Sequence, residues 1–203
     1  MEARERIIER SIELFTKLGI RFVTMDQIAG ELGISKRTIY EIFKDKDDLL
    51  VQCLQEMGKL HNNELREIIS KSENVIEALY HIAQHGERKR ASANVLFFED
   101  LEKLYPQILQ NFKNRKGKEE ESVTITILKK GIVEGIFREE LNIKIVEVFI
   151  HEMMKICYKK DLFPGNFNDL TIIENIIIPY FKGISTRKGQ ELIDKHFPVA
   201  IPE

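Results

Sequence analysis

The sequence predicts an all-α protein, with a small helical head at the N-terminus and a larger helical body behind it. Among 203 residues there are 5 prolines and 11 glycines, too few for a strand-and-turn architecture. Long stretches are rich in Glu, Lys, Leu and Ile, residues that favour helices. Apolar residues recur at spacings of three and four, the mark of one buried helical face. The 43% hydrophobic content is enough to build a real core.

The elements follow in order. Ile7, Ile8, Ile12, Phe15 and Leu18 share a face of a first helix, and Gly19 stands where a left-handed C-terminal cap is expected. Thr24 lies three residues before Gln27, the spacing of a capping box, and opens a short second helix with the stripe Met25, Ile28, Ala29 and Leu32. Gly33 ends it. Ser35 caps a third helix whose inward residues are Ile39, Ile42 and Phe43, so only Gly33-Ile34 separates helices two and three. Asp45 caps a fourth helix, with Asp47 and Asp48 in its first turn, where the helix dipole favours negative charge. That helix is expected to run from 46 to about 70 with Leu49, Leu50, Cys53, Leu54, Met57 and Leu60 inward. Further helices are expected near 74–90, 92–104, 106–130 with Gly117 as a point of breakage, 142–160, 168–184 and 187–196. Pro106, Gly131, Gly135, Pro164-Gly165 and the Gly183 region punctuate them.

The opening Met1-Glu2-Ala3-Arg4-Glu5-Arg6 alternates charge and leads into no long apolar run, so no secretory signal is expected. No segment reaches the roughly 18 apolar residues of a membrane span, and a cytoplasmic protein is expected. Cys53 and Cys157 sit in helical apolar patterns, which packing explains better than a disulfide or a metal. No nucleophile–base pair, phosphate loop or metal set can be assembled, so neither an enzyme nor a resident cofactor is expected.

The net charge of −2 gives no global case for nucleic acid. The signal is local: Lys36, Arg37, Lys44 and Lys46 stand against Glu41 and Asp45 in the stretch 35–46. With Ile39, Ile42 and Phe43 turned inward, Lys36, Arg37, Thr38, Tyr40, Glu41 and Lys44 face outward. A helix fits the major groove of B-DNA, and its first turns reach base edges. This predicts that Lys36, Arg37 and Thr38 read bases, with Arg37 able to grip guanine at two atoms. Tyr40 would reach a flanking phosphate, and Thr24 and Lys46 would clamp backbone on either side.

The stretches Val23-Thr24-Met25-Asp26-Gln27-Ile28-Ala29 and Leu32-Gly33-Ile34-Ser35-Lys36-Arg37-Thr38-Ile39-Tyr40-Glu41-Ile42-Phe43-Lys44-Asp45-Lys46-Asp47-Asp48-Leu49 resemble the TetR family of bacterial regulators. The close match covers about a quarter of the chain; the later helices agree in number, length and order. By resemblance the DNA-contacting places are Thr24, Ser35, Lys36, Arg37, Thr38, Tyr40 and Lys46, and Phe43 is the buried aromatic. Arg37 departs from the small residue many relatives carry there. The resemblance implies a regulator, in its commonest form a repressor, that binds a palindromic operator as a homodimer. Two heads would enter successive major grooves, with residues 1–46 the DNA-binding domain. Residues 47–203 would form the dimerisation domain and bind a small-molecule effector that releases the DNA. Gly131 to Arg138, Phe98-Glu99-Asp100-Leu101 with Tyr105-Pro106, and Gly183-Ile184-Ser185-Thr186 also look like family landmarks.

His81 and His85 have metal spacing but no third ligand, and His151-Glu152 meets Lys155 where a zinc-protease helix needs histidine. The basic run at 113–118 is followed by Glu119, Glu120 and Glu121 and reads as a self-compensated surface. Phe97, Phe98, Tyr105, Phe112 and Phe137, with His85, either line an apolar effector cavity or are plain core. The candidate lining is His85, Phe97, Tyr105 and Phe137. On the helix near 142–160, a stripe of Val146, Phe149, Ile150, Met153 and Cys157 lies beside Ile145, Val148 and Ile156. On that near 168–184, Ile172, Ile173, Ile176, Ile177, Tyr180 and Phe181 are equally broad, and Pro179 is expected to kink it. Such breadth predicts a two-fold, four-helix dimer interface including Phe149, Met153, Ile176 and Tyr180; burial within one subunit is the other reading.

Overall fold

A computed structural model of the protein describes residues 2–92, 94–115, 122–157, 162–163 and 169–198. It is all-α. Among the described residues the extended pairing is one isolated bridge, Phe137 with Ser185. The helices are α1 (Ala3–Leu18), α2 (Met25–Leu32), α3 (Lys36–Ile42), α4 (Lys46–Lys71), α5 (Val75–Ser92), α6 (Val95–Leu104), α7 (Pro106–Arg115), α8 (Val123–Val133) and α9 (Ile143–Cys157). After them come α10 (Asp169–Ile172), a π-helical stretch Ile173–Ile177, α11 (Ile178–Ile184) and α12 (Arg187–His196).

These helices form two compact units. The first comprises residues 1–64 and 86–120, the second 65–85 and 121–203. The expected division at residue 46 therefore falls inside the first unit. Phe15, Ile28, Ile39, Phe43, Leu49 and Leu50 are fully buried there, and α6 and α7 join the same core through Phe97, Leu101, Tyr105, Ile108 and Phe112. The second unit is built on Val75, Ile76, Leu128, Ile136, Phe137, Ile150 and Ile193. Its chain reversal after α8 is locked by hydrogen bonds from Thr186 N to Ile136 O at 2.9 Å and from Arg138 N to Ile184 O at 3.1 Å.

The caps expected in the head are formed. The hydroxyl of Thr24 accepts from Gln27 N at 3.1 Å, one half of the expected box. Ser35 Oγ accepts from Thr38 N at 3.1 Å, and Asp45 Oδ1 from Asp48 N at 2.8 Å. Gly33 lies at φ 65°, ψ 30°, and Ile34 N reaches back to Ala29 O at 3.0 Å. This left-handed closure turns the chain within two residues.

Several expectations are corrected. Gly19 takes φ 88°, ψ 149° rather than the left-handed helical well, because the chain leaves α1 extended to pass α6. Leu18 and Leu60 are exposed, not inward. The span 106–130 is two helices, α7 ending at Arg115 and α8 opening at Val123 on a Ser122 cap. Gly117, the side chains of the charged run at 113–121 and Pro164-Gly165 lie outside the described residues. Pro179 is accommodated by a widened turn: its missing N–H falls just after the π-helical stretch, where Ile178 N bonds to Ile173 O.

Candidate nucleic-acid interface

The core fixes which face of α3 is free. Ile39 and Phe43 are wholly buried, and on the opposite side Lys36, Arg37, Tyr40 and Lys44 are exposed, with Thr38 half-buried. The Arg37 side chain is 88% exposed, and within its own helix Nε donates to Glu41 Oε1 at 3.0 Å. Lys36 Nζ donates to Asp26 Oδ2 on α2 at 2.6 Å. That bond raises the lysine's pKa against the opposing effect of desolvation, so Lys36 stays cationic. Ser35 and Thr38 share a hydroxyl bond of 2.9 Å beside the cap. Thr24, capping α2, is exposed as well.

The arrangement therefore presents two cations, a phenol and a cluster of hydroxyls on one surface, mounted on two short helices whose caps fix their axes. Cations and hydroxyls suit phosphate oxygens, and the Arg37 fork suits the two major-groove acceptors of guanine. Lys44 adds a third exposed cation; its backbone N–H is bound by Asp48 Oδ2 at 3.1 Å, which fixes the start of α4.

Lys46 is placed differently from the expectation that it clamps backbone. It is half-buried, with Nζ donating to Ile20 O at 2.5 Å and lying 5.9 Å from the centre of the Phe15 ring. Desolvation lowers its pKa, opposed by Asp47 and Asp100. Its ammonium holds the turn after α1 and does not face outward.

The acidic partners Asp26 and Glu41 were not singled out as part of the site. Glu41 follows Arg37 by four and could have been read from that spacing, whereas Asp26 stands ten residues before Lys36 on another helix and left no such signal. Also missed was Asp100, fully buried on α6 and paired with Arg21. A signal existed: Asp100 and Leu101 follow Phe97 by three and four residues, the spacing of a core face, where a carboxylate needs a partner.

The expected pocket residues are divided between the two units. Phe97 is buried in the core of the first unit, against which Tyr105 packs, and Phe137 is buried in the core of the second, while His85 is half-buried on α5. Aromatics at helical spacing serve here as core. Of the expected interface residues, Met153 is buried within the second unit, and Ile176 and Tyr180 are half-buried. Phe149 is 50% exposed and stacks on Tyr180 with ring centres 4.7 Å apart. Beside it Ile145, Val148 and Ile156 are exposed, so α9 carries an open apolar strip flanked by Lys144 and Glu152. His81 lies near Glu77 and His151 bonds Thr124. No described helix is long and apolar enough to cross a membrane.

Residues 7–53 match the bacterial regulatory proteins of the tetR family. Over 152 residues the chain is 23% identical to the HTH-type transcriptional repressor KstR2 of Mycolicibacterium smegmatis, covering 73% of this chain and 74% of that protein. Over 67 residues, 33% of this chain and 23% of the other, it is 40% identical to the HTH-type transcriptional regulator YerO of Bacillus subtilis. In structure it is similar to a TetR-family regulator of Mesorhizobium loti, with a TM-score of 0.59 and 15% identity over 97% of this chain and 95% of that one. At that identity the likeness speaks for the fold.

Proposed function

We propose that this chain, whose head belongs to the TetR family of bacterial regulatory proteins and which is a DNA-binding transcriptional regulator of the repressor type, acts as a homodimer on a palindromic operator and is released from it by a small-molecule effector. The observation that carries this reading is the outward face of α3. Lys36, Arg37 and Thr38 stand at the end of a short helix whose other side is locked into the core by Ile39 and Phe43. A reading helix must be rigid on one side and polar on the other.

In this reading Arg37, Lys36 and Thr38 meet base edges, and Thr24, Ser35, Tyr40 and Lys44 meet phosphates. The exposed strip of α9, joined by Tyr180, supports a two-fold contact between subunits, since a monomer gains nothing by leaving Ile145, Val148 and Phe149 in water. Two heads so joined must sit about 34 to 36 Å apart to enter successive grooves. The effector binds behind the head and favours a spacing that the operator does not fit, and the protein works in the cytoplasm, where its DNA is.

The test is selection of duplexes from a random pool by the protein, followed by binding titrations on the selected sequence and on random duplex over a range of salt. An inverted repeat bound with a steep salt dependence supports the reading. Equal affinity for selected and random duplex, or recovery of no repeat, overturns it. A competing reading, a helix-turn-helix that docks protein, predicts no affinity for duplex at any salt.

A further inference from the structure

Asp100 sits on α6 with none of its surface exposed, and its partner Arg21 lies in the turn between α1 and α2, 79 residues earlier in the sequence. The backbone N–H of Arg21 donates to Oδ2 at 2.8 Å. Arg21 Nε donates to Oδ1 at 2.6 Å, and a terminal guanidinium nitrogen approaches the same oxygen at 2.5 Å. Burial pushes this carboxyl up, but Arg21 with the backbone of Ile20 prevails and holds it below the usual carboxylate range.

The same turn is held at two more points. Asn94, the cap of α6, donates from Nδ2 to Lys17 O at 2.7 Å, and Lys46 donates to Ile20 O. At Gly19 the turn passes so close to α6 that a Cβ would lie 3.2 Å from Leu96 Cβ and 3.3 Å from Asp100 Oδ2. The polar groups that α1 leaves open at its end are thus met by α6 and α4.

Apolar residues could fill such a site at equal or better stability. What an aspartate adds is direction, because a guanidinium fork and a backbone N–H on one carboxylate fix both the distance and the rotation of the turn. We infer that Asp100 is a positioning residue for operator recognition: through Arg21 it sets how the reading head is carried on α6, and thereby the stance of α3 toward the DNA. It touches no nucleotide itself. The inference rests on the reading of two heads on one inverted repeat.

The experiment uses the full chain and a panel of duplexes bearing the selected repeat with its spacer unchanged, or lengthened or shortened by one and two base pairs. A duplex with a single half-site is the control. Wild type should lose about tenfold or more when the spacer changes by one base pair, since each step rotates the half-sites against each other. Asp100→Asn, isosteric and uncharged, should keep its affinity for the single half-site while its spacer preference collapses to about threefold or less. Arg21→Lys, which keeps the cation but loses the fork, should fall between the two.

A folded Asp100→Asn with the wild-type spacer preference overturns the inference and leaves the two-headed reading standing. Absence of any spacer preference in wild type overturns the two-headed reading itself. Should Asp100→Asn not fold, Arg21→Gln reads the same contact from its exposed side and leaves the backbone bond in place. Unfolding of both would make the contact a folding element and overturn the positioning role.

Discussion

Replacing Gly33 by alanine separates backbone strain from crowding at the turn of the reading head. Gly33 holds φ 65°, ψ 30°, and a Cβ built there meets nothing within 4 Å. The whole cost is therefore conformational, about 1 to 2 kcal/mol for a left-handed L-residue. The lost freedom of the unfolded glycine offsets about 0.4 to 1 kcal/mol of it. A net loss of about 1 kcal/mol is expected, a shift of about 0.5 M in a urea midpoint at a slope of about 2 kcal/mol per M. Asparagine, which tolerates the left-handed well, should lose less. Gly189→Ala is the contrast: its φ is unremarkable, but the new Cβ would stand 2.3 Å from the backbone oxygen of Ile136. Backbone cannot step aside cheaply, so about 3 kcal/mol or more is expected. Urea unfolding of the three variants followed by circular dichroism gives the ranking. If Gly33→Ala proves more damaging than Gly189→Ala, the open space at the turn is misplaced and the argument from strain alone fails.

Arg37→Ala should weaken the selected operator by about 1 to 3 kcal/mol per half-site and relax base preference at one position; a uniform loss over all duplexes would remove it as a base reader. Lys46→Met should lower thermal stability yet leave the slope of log affinity against log salt unchanged, because its ammonium is bonded to Ile20 O; a slope shallower by about two per dimer would restore it as a phosphate contact. Ile145→Glu with Phe149→Glu alters two exposed side chains and should give folded monomers in sedimentation; an intact dimer places the interface elsewhere. Because the folded pKa of Asp100 is depressed, its contribution is fully present above the unfolded value of about 3.9 and is lost as pH falls toward the folded one. The stability gap between wild type and Asp100→Asn should therefore narrow on acidification from about pH 6 to about pH 3, and a gap that widens contradicts the sign.

The head was legible in the sequence because its signals are local. Thr24, Ser35, Asp45 and Gly33 each act on a residue within five positions, and the stripe Met25, Ile28, Ala29 needs only helical period to be seen. The body was less so. The strip on α9 was read as broad, but Met153 and Phe149 looked alike in period and only packing separates the buried one from the exposed one. Phe97 and Phe137 were grouped by chemistry, yet they serve different cores. The inward turn of Lys46 was hidden for another reason. Its partner is a backbone carbonyl, and a carbonyl at Ile20 is no different in sequence from one anywhere else. Membership of α6 in the core of the head was equally invisible, since it depends on a contact 79 residues long.

The acidic partners of the reading face bear on how a chain of net charge −2 can select DNA at all. Lys36 and Arg37 are held in the free protein by Asp26 and Glu41, both largely exposed. Exposed pairs of this kind are worth little. A phosphate alone can displace them only at comparable gain, so random duplex, which offers charge without geometry, should be bound weakly by this face. A guanine presenting two acceptors to the Arg37 fork, or a well-placed acceptor for Lys36, returns more than the pair held. The acids therefore lower binding to all sequences by a similar amount and leave the operator's advantage to the base contacts. Asp26→Asn should accordingly raise affinity for random duplex and for the selected operator by a similar factor, and a gain on random duplex much larger than on the operator would show that Asp26 also sharpens selection.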